Sequence, residues 1–215
     1  MTLRRLSRWA PAAAIVLVAV VVGLAQLVGD DDRPDAMAVE SSADLFDSLD
    51  DLVAASDFVL LATITDIADG RTITSSDNPA AGIHTRLVEL DVNDVLHGDA
   101  IDRVVVEEAD AFADGTPIAV DGMTELPNGD AAVWFLVAGG SDAMPYYATV
   151  NGQGRIRIVG DSLDASGDDP LSQEVASWSP QELTAAVRNA SRTSASPETP
   201  TITDARRPSG QRETS

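Results

Sequence analysis

The residues that could carry chemistry in this chain are almost all carboxylates. The 215 residues include 35 Asp and Glu, two His and no Cys, and all 14 basic residues are Arg. Without Cys or Lys, thiol chemistry, Schiff-base catalysis and the serine–lysine mechanism are excluded. The patterns Gly-x-Ser-x-Gly, Gly-x-x-x-x-Gly-Lys and His-Glu-x-x-His do not occur. We therefore predict no catalytic residues and no cofactor.

Acidic clusters are the candidates for a cation site. One cluster occupies residues 30–35 and the other consists of Asp161, Asp164, Asp168 and Asp169. Calcium prefers several oxygen ligands at loop positions, but neither cluster has the spacing of a calcium-binding helix-loop-helix. Solvated acidic loops are the alternative interpretation. Paired carboxylates could also serve a glycosidase-like hydrolase, although 35 acidic residues do not single out a pair.

Histidine and tyrosine supply the remaining candidates for ligand binding. His84 and His97 lie 13 residues apart at the two ends of one predicted strand, which keeps them from sharing a zinc ion. Each His therefore has a surface role by default. Tyr146 and Tyr147 alternate across a predicted strand, so that one of them is available to a ligand. The ligand candidates are Tyr146, Tyr147 and His97.

A long uncharged run places the protein at a membrane. Residues 9–29 carry no charge, and Arg4, Arg5 and Arg8 precede them. About 20 apolar residues span a hydrocarbon core roughly 30 Å thick, so we predict a transmembrane helix over 9–29. Arginines stay on the cytoplasmic side, which predicts a cytoplasmic stub of residues 1–8 and an extracytoplasmic remainder. The alternative is a signal peptide cleaved near Ala38, where residues 36–38 read Ala-Met-Ala.

The exported part is strongly acidic. It would carry 11 Arg against all 35 acidic residues, a formal charge of -24. Such a surface repels nucleic acid and anionic headgroups, and attracts cations or basic segments. We therefore expect no nucleic-acid partner, and an envelope protein or another basic partner instead. Solubility or salt adaptation is the alternative interpretation of the charge, and the sequence gives no oligomeric state.

The elements that must position these residues are mainly strands. An acidic linker over 30–42 leads into a helix that we expect to be capped at Ser41 and Asp44 and to end near Ala55. Branched or alternating apolar residues predict the strands, and Gly70–Gly82 is expected to be a loop. The predicted strands are 57–67, 85–93, 103–108, 118–120, 131–138, 146–150 and 155–159.

Turn and cap residues predict how the chain continues after residue 150. Asn151-Gly-Gln-Gly154 predicts a hairpin between the two strands that flank it, which explains the glycines better than nucleotide binding does. Ser179, Pro180 and Glu182 predict a capped final helix. The Ser-, Thr- and Pro-rich residues 191–215 predict a disordered tail. The extracytoplasmic domain is thus expected over 43–190.

A family resemblance accompanies these patterns. The run 55–67, the segment 85–99 with Val95-Leu-His-Gly-Asp99, and Val133-Trp-Phe-Leu136 resemble uncharacterised exported bacterial domains. These domains are similar in strand order to the five-stranded OB-like barrel of netrins and metalloprotease inhibitors. The resemblance covers about residues 43–160 and implies such a barrel. His97 replaces the usual lysine, and the inhibitors' N-terminal cysteine has no counterpart, so the inhibitory activity is not carried over.

The sequence thus predicts a mainly β protein: a single-pass helix followed by a small antiparallel OB-like barrel, or alternatively a β-sandwich, with a helix at each end. Its expected function is a non-catalytic binding or interaction module of the bacterial cell envelope. The alternatives are a carboxylate-dependent hydrolase of envelope polymers, a calcium-binding domain and a purely structural surface domain.

Overall fold

The computed structural model describes residues 37–39, 45–74, 82–120, 126–139 and 146–194. Within them, nine strands and three α-helices alternate with short connections. The strands are β1 (Met37–Val39), β2 (Phe58–Ile73), β3 (Ile83–His97), β4 (Arg103–Phe112), β5 (Ile118–Val120), β6 (Ala131–Val137), β7 (Ala148–Thr149), β8 (Arg155–Val159) and β9 (Ser162–Ala165). The helices are α1 (Leu49–Ala54), α2 (Pro170–Ala176) and α3 (Pro180–Ser194).

Seven strands form one antiparallel sheet in the order β4-β3-β2-β6-β8-β9, with β7 also paired to β6. The sheet is not closed into a barrel by these ladders, and β4 and β9 are its two ends. A separate two-stranded parallel ladder joins β1 to β5. The prediction of a mainly β fold with helical additions is confirmed.

The sheet buries apolar side chains on both faces, because alternate residues of a strand point to opposite sides. On β6, Val133 and Phe135 pack under the three helices. Trp134 and Leu136 point to the other face, where β2, β3 and β4 contribute an inner cluster. A strand buried on both faces has a continuous apolar sequence, which is why β6 could be predicted from the sequence.

Two predicted features of the chain path are wrong. β2 continues through Gly70 to Ile73 and pairs with the start of β3, so the predicted loop begins too early. Residues 148–149 and 155–159 do not form a hairpin with each other, because both segments pair with β6. Between them, Gly152–Gly154 form one 3-10 turn, in which the backbone N–H of Gln153 donates to Asn151 Oδ1 at 2.9 Å. The side-chain cap of Asn151 replaces the glycine turn that was expected.

The helix boundaries also differ in part from prediction. Helix α1 begins after Ser48, whose hydroxyl accepts the Asp51 N–H at 3.2 Å, so a cap at Ser41 and Asp44 is wrong. Helix α3 has the expected box: Ser179 N–H donates to Glu182 Oε2, and Glu182 N–H donates to Ser179 Oγ. The helix includes the first four residues of the predicted tail, 191–194. Residues 195–215 lie outside the described part.

The predicted stub and span, residues 1–29, also lie outside the described residues. In the described part, no helix has the length and apolar character needed to cross a membrane. Strand β1 falls inside the predicted linker 30–42 and includes Met37 and Ala38 of the alternative cleavage motif.

Candidate functional site

An open polar groove lies where β2 ends and β3 begins. It has a volume of about 450 Å³. Its lining includes Asp69, Gly70, Thr72, His84, Asp110 and Gly115. We call this set the acidic groove. Two carboxylates and one imidazole line the same space; Asp110 Oδ1 lies 3.9 Å from Arg86 Nη1, and Thr72 Oγ1 lies 2.9 Å from His84 Nδ1. The groove can therefore accept hydrogen bonds from a cationic or hydroxyl-bearing ligand.

The wall of the acidic groove depends on the close approach of β2 and β3 at Gly70. A Cβ at this position would lie 2.3 Å from Thr85 Oγ1, so only glycine fits without a shift. Thr85 Oγ1 accepts the N–H of Arg71 at 3.0 Å and lies 2.9 Å from Glu107 Oε1. Arg71 in turn makes a two-point contact with Glu107, with both N–O distances 2.8 Å. These contacts hold β2, β3 and β4 together beside the groove.

A buried ion-pair cluster links the neighbouring strands β3 and β4 to β8, which pairs with neither of them. We call Arg86, Glu108 and Arg155 the seam cluster. Arg86 on β3 and Arg155 on β8 both donate to Glu108 on β4, at 2.9 Å and 2.8 Å. The side chains of Glu108 and Arg155 are 5% and 3% exposed. Because β4 and β8 share no ladder, the Glu108–Arg155 contact links β4, at one end of the sheet, to β8, next to the other end.

Glu108 favours the charged form of the buried Arg155. Burial lowers the pKa of Arg155, and the charge of Glu108 opposes that effect. The Arg155 guanidinium also lies 5.6 Å from the ring centroid of Trp134, a cation–π distance. Arg86, another member of the seam cluster, lies 3.9 Å from Asp110 of the groove, so the cluster connects the inner apolar cluster to the polar groove.

Backbone hydrogen bonds also link β4 to Tyr147, the residue before β7. Tyr147 N–H donates to Val105 O at 3.1 Å, and Glu107 N–H donates to Tyr147 O at 2.8 Å. The Tyr147 ring meets Phe58 edge to face, with centroids 5.6 Å apart. Tyr146 lies near Arg71, whose pKa is raised first by the hydrogen bond and charge of Glu107 and then by Tyr146. Both tyrosines are half-buried.

Comparisons with known proteins add no identity: no protein-family profile and no curated protein matches this chain. Its function is therefore inferred from its own residues.

The remaining candidates from the sequence are scattered. His97 is at the far end of β3 from the groove and shares a 2.8 Å hydrogen bond with Ser191 of α3. His84 and His97 thus lie at opposite ends of one strand, as the spacing required. Asp161, Asp164 and Asp168 are exposed. Among the described residues, no three His, Asp or Glu side chains come together as metal ligands. Calcium binding stays a prediction.

Asp169 has a structural role at the start of α2. Its carboxylate accepts the N–H of Ser172 at 3.0 Å and the side-chain amide of Gln153 at 2.7 Å. Partial burial acts to raise the pKa of Asp169, but these hydrogen bonds and that of the Ser172 hydroxyl outweigh it and lower the pKa. The same Gln153 binds the backbone of Phe46, so Asp169 helps join α2 to the segment before α1.

Because the pKa of Asp169 is lower in the folded chain, its contribution to stability should be present above the unfolded pKa of about 3.9 and lost as the pH falls through the folded value. We expect Asp169→Asn to cost about 1 kcal/mol at pH 7, since charged acceptors bind more strongly than neutral ones. Thermal melts from pH 7 to pH 2 should show this gap closing in acid. Asp168→Asn removes the same charge from an exposed neighbour and should melt like the wild type; an equal loss in both variants would contradict the assignment.

Sequence reasoning missed the residues that build the site. Asp69 and Asp110 carried no distinguishing spacing among so many acids, and Gly70 was placed in a loop. Glu108 was assigned to a strand with no hint that Arg155, 47 positions later, pairs with it. The signal available in the sequence was weak: a charged residue that alternates with Val104 and Val106 should share their buried face.

Proposed function

We propose that this chain is a membrane-anchored extracytoplasmic binding module of the cell envelope, without catalysis, and that the acidic groove binds a cationic segment of a partner. The observation that carries the proposal is the groove itself, where Asp69, His84 and Asp110 line one open space. Its size suits a few side chains of a peptide rather than a flat protein surface.

The ion pairs that the arginines form support a preference for cationic partners. The described residues contain 22 acidic side chains and seven arginines. Five of these arginines form ion pairs with carboxylates: Arg71, Arg86, Arg155, Arg157 and Arg188. Most of the positive charge of the described residues is thus paired within the fold, which leaves their surface acidic. A surface of this kind attracts basic partners and speeds their association at low ionic strength.

The proposal includes the OB-like barrel that the sequence predicts. We propose that the domain is OB-like, although its ladders leave the sheet open between β4 and β9. The two hydrogen bonds of Tyr147 and the Glu108–Arg155 pair support this relationship, since they link β4 to the residue before β7 and to β8. In OB-like folds, the mouth and the adjacent sheet face commonly bind ligands. We propose that the acidic groove serves this purpose here.

The hydrolase alternative receives less support. A glycosidase needs two carboxyl groups that face each other across a cleft, one of them with a raised pKa. Among the described carboxylates whose pKa departs from its usual value, Asp114, Asp169 and Glu182 are all shifted downward, by hydrogen bonds that favour the charged form. A downward shift does not suit a general acid at neutral pH.

Binding is tested with the full chain in nanodiscs of zwitterionic lipid. A fluorescent oligoarginine peptide and an oligoglutamate peptide of equal length serve as probes in anisotropy titrations. We expect saturable binding of the arginine peptide, weakened as salt is raised from 50 to 500 mM, and no binding of the glutamate peptide. Equal binding of both peptides, or of neither, would overturn the proposed function.

The membrane placement is tested separately in cells that express the full chain. We expect the intact chain in the membrane fraction, with the β domain digested by protease added to spheroplasts. A chain shortened at Ala38 and released into the soluble exported fraction would support the cleaved alternative and contradict the anchor.

A further inference from the structure

We infer that the β1–β5 ladder orients the domain with its groove end toward the membrane. This inference rests on the proposed anchor, and it concerns how the groove is presented rather than what it binds. The ladder pairs Met37 with Ile118, Ala38 with Ala119 and Val39 with Val120. The chain segment nearest to the proposed span is thereby paired with the segment that follows β4.

The position of β5 links this ladder to the groove. Just before β5, Pro117 forms an isolated bridge with Ala111, and Phe112 N–H donates to Thr116 O at 2.8 Å. Ala111 and Gly115 both line the groove. The ladder therefore joins the domain at the end of β4 that carries the groove, and not at the end that carries the β3–β4 turn.

Chain length then limits how far this end can lie from the bilayer. Seven residues, 30–36, separate the proposed span from β1. Even fully extended, they reach only about 25 Å, at roughly 3.5 Å per residue. Strand β3 has 15 residues and extends about 45 Å, so its far end can lie much farther from the membrane. The groove end is held near the surface, and a partner that enters the groove meets it there.

Energy transfer to labelled lipid headgroups measures this orientation. Because the chain has no native cysteine, a single introduced cysteine defines the position of the donor. Ala113→Cys places it in the turn after β4, and Ala100→Cys places it in the β3–β4 turn; both positions are exposed. In nanodiscs that contain the full chain, we expect clearly greater transfer from position 113 than from position 100.

Ala38→Pro, added to each cysteine variant, tests whether the ladder causes the orientation, since proline removes an N–H and disfavours strand pairing. We expect the difference between positions 113 and 100 to shrink, while circular dichroism reports an unchanged sheet. Equal transfer from both positions without proline, or a difference that survives Ala38→Pro, would overturn the inference. Transfer from neither position would instead show that the anchor itself is wrong, independently of any peptide binding.

Discussion

Replacing Glu108 with glutamine should lower the free energy of unfolding by about 3–5 kcal/mol, the usual cost of breaking a buried ion pair from one side. Glutamine keeps the shape of the side chain but not its charge. Arg155, with a side chain 3% exposed, and Arg86, with a side chain 12% exposed, would then lose the buried carboxylate that they share. Chemical denaturation of the full chain in detergent, followed by circular dichroism, measures the loss.

The chain offers a matched control in an exposed ion pair. Arg188 on α3 pairs with Asp94 on β3, and their side chains are 46% and 39% exposed. Since solvent screens such pairs, Asp94→Asn should cost no more than about 1 kcal/mol. Similar losses in the two variants would mean that the seam cluster does not hold the sheet together as its burial implies.

Replacing Trp134 with alanine should cost about 3–5 kcal/mol, the range typical of a large aromatic side chain removed from a core. Trp134 is 0% exposed and belongs to the inner cluster on β6. Its loss would leave a cavity and take away the ring that lies under the Arg155 guanidinium. Both the apolar cluster and the seam cluster would therefore weaken.

A second substitution separates packing from polar contacts at this position. In the described part of the structure, Trp134 Nε1 is buried and has no hydrogen-bond partner. Trp134→Phe keeps most of the apolar surface and gives up no such bond, so it should cost well under half as much as alanine. Val159→Ala, at a side chain 50% exposed, should change stability little. Equal losses for phenylalanine and alanine would contradict the packing explanation.

The sequence was informative where local patterns coincide with burial. Strand β6 could be predicted because both of its faces are buried. Helix α3 could be predicted because Ser179 and Glu182 form a reciprocal cap. The position at which β2 ends could not be predicted in this way. Gly70 normally signals a turn, but here it permits the close approach of Thr85, a requirement set by the neighbouring strand.

The candidate site depends on contacts between distant parts of the chain, which local patterns do not encode. Glu108 and Arg155 meet although β4 and β8 share no ladder, and Asn151 caps a 3-10 turn between two strands that both pair with β6. The acidic character of the chain was evident from composition. Which carboxylates share one groove was not, since only the register of β2, β3 and β4 places Asp69 beside Asp110.

The central claim is that the acidic groove, rather than the overall negative charge, binds cationic partners. The most direct measurement compares oligoarginine affinity for two double variants of equal net charge. Asp69→Asn with Asp110→Asn neutralises the groove, and Asp99→Asn with Asp102→Asn neutralises exposed residues in the turn at the other end of β3 and β4. We expect the groove variant to lose at least about fivefold in affinity and the turn variant to bind like the wild type. Equal losses in the two variants would contradict the claim.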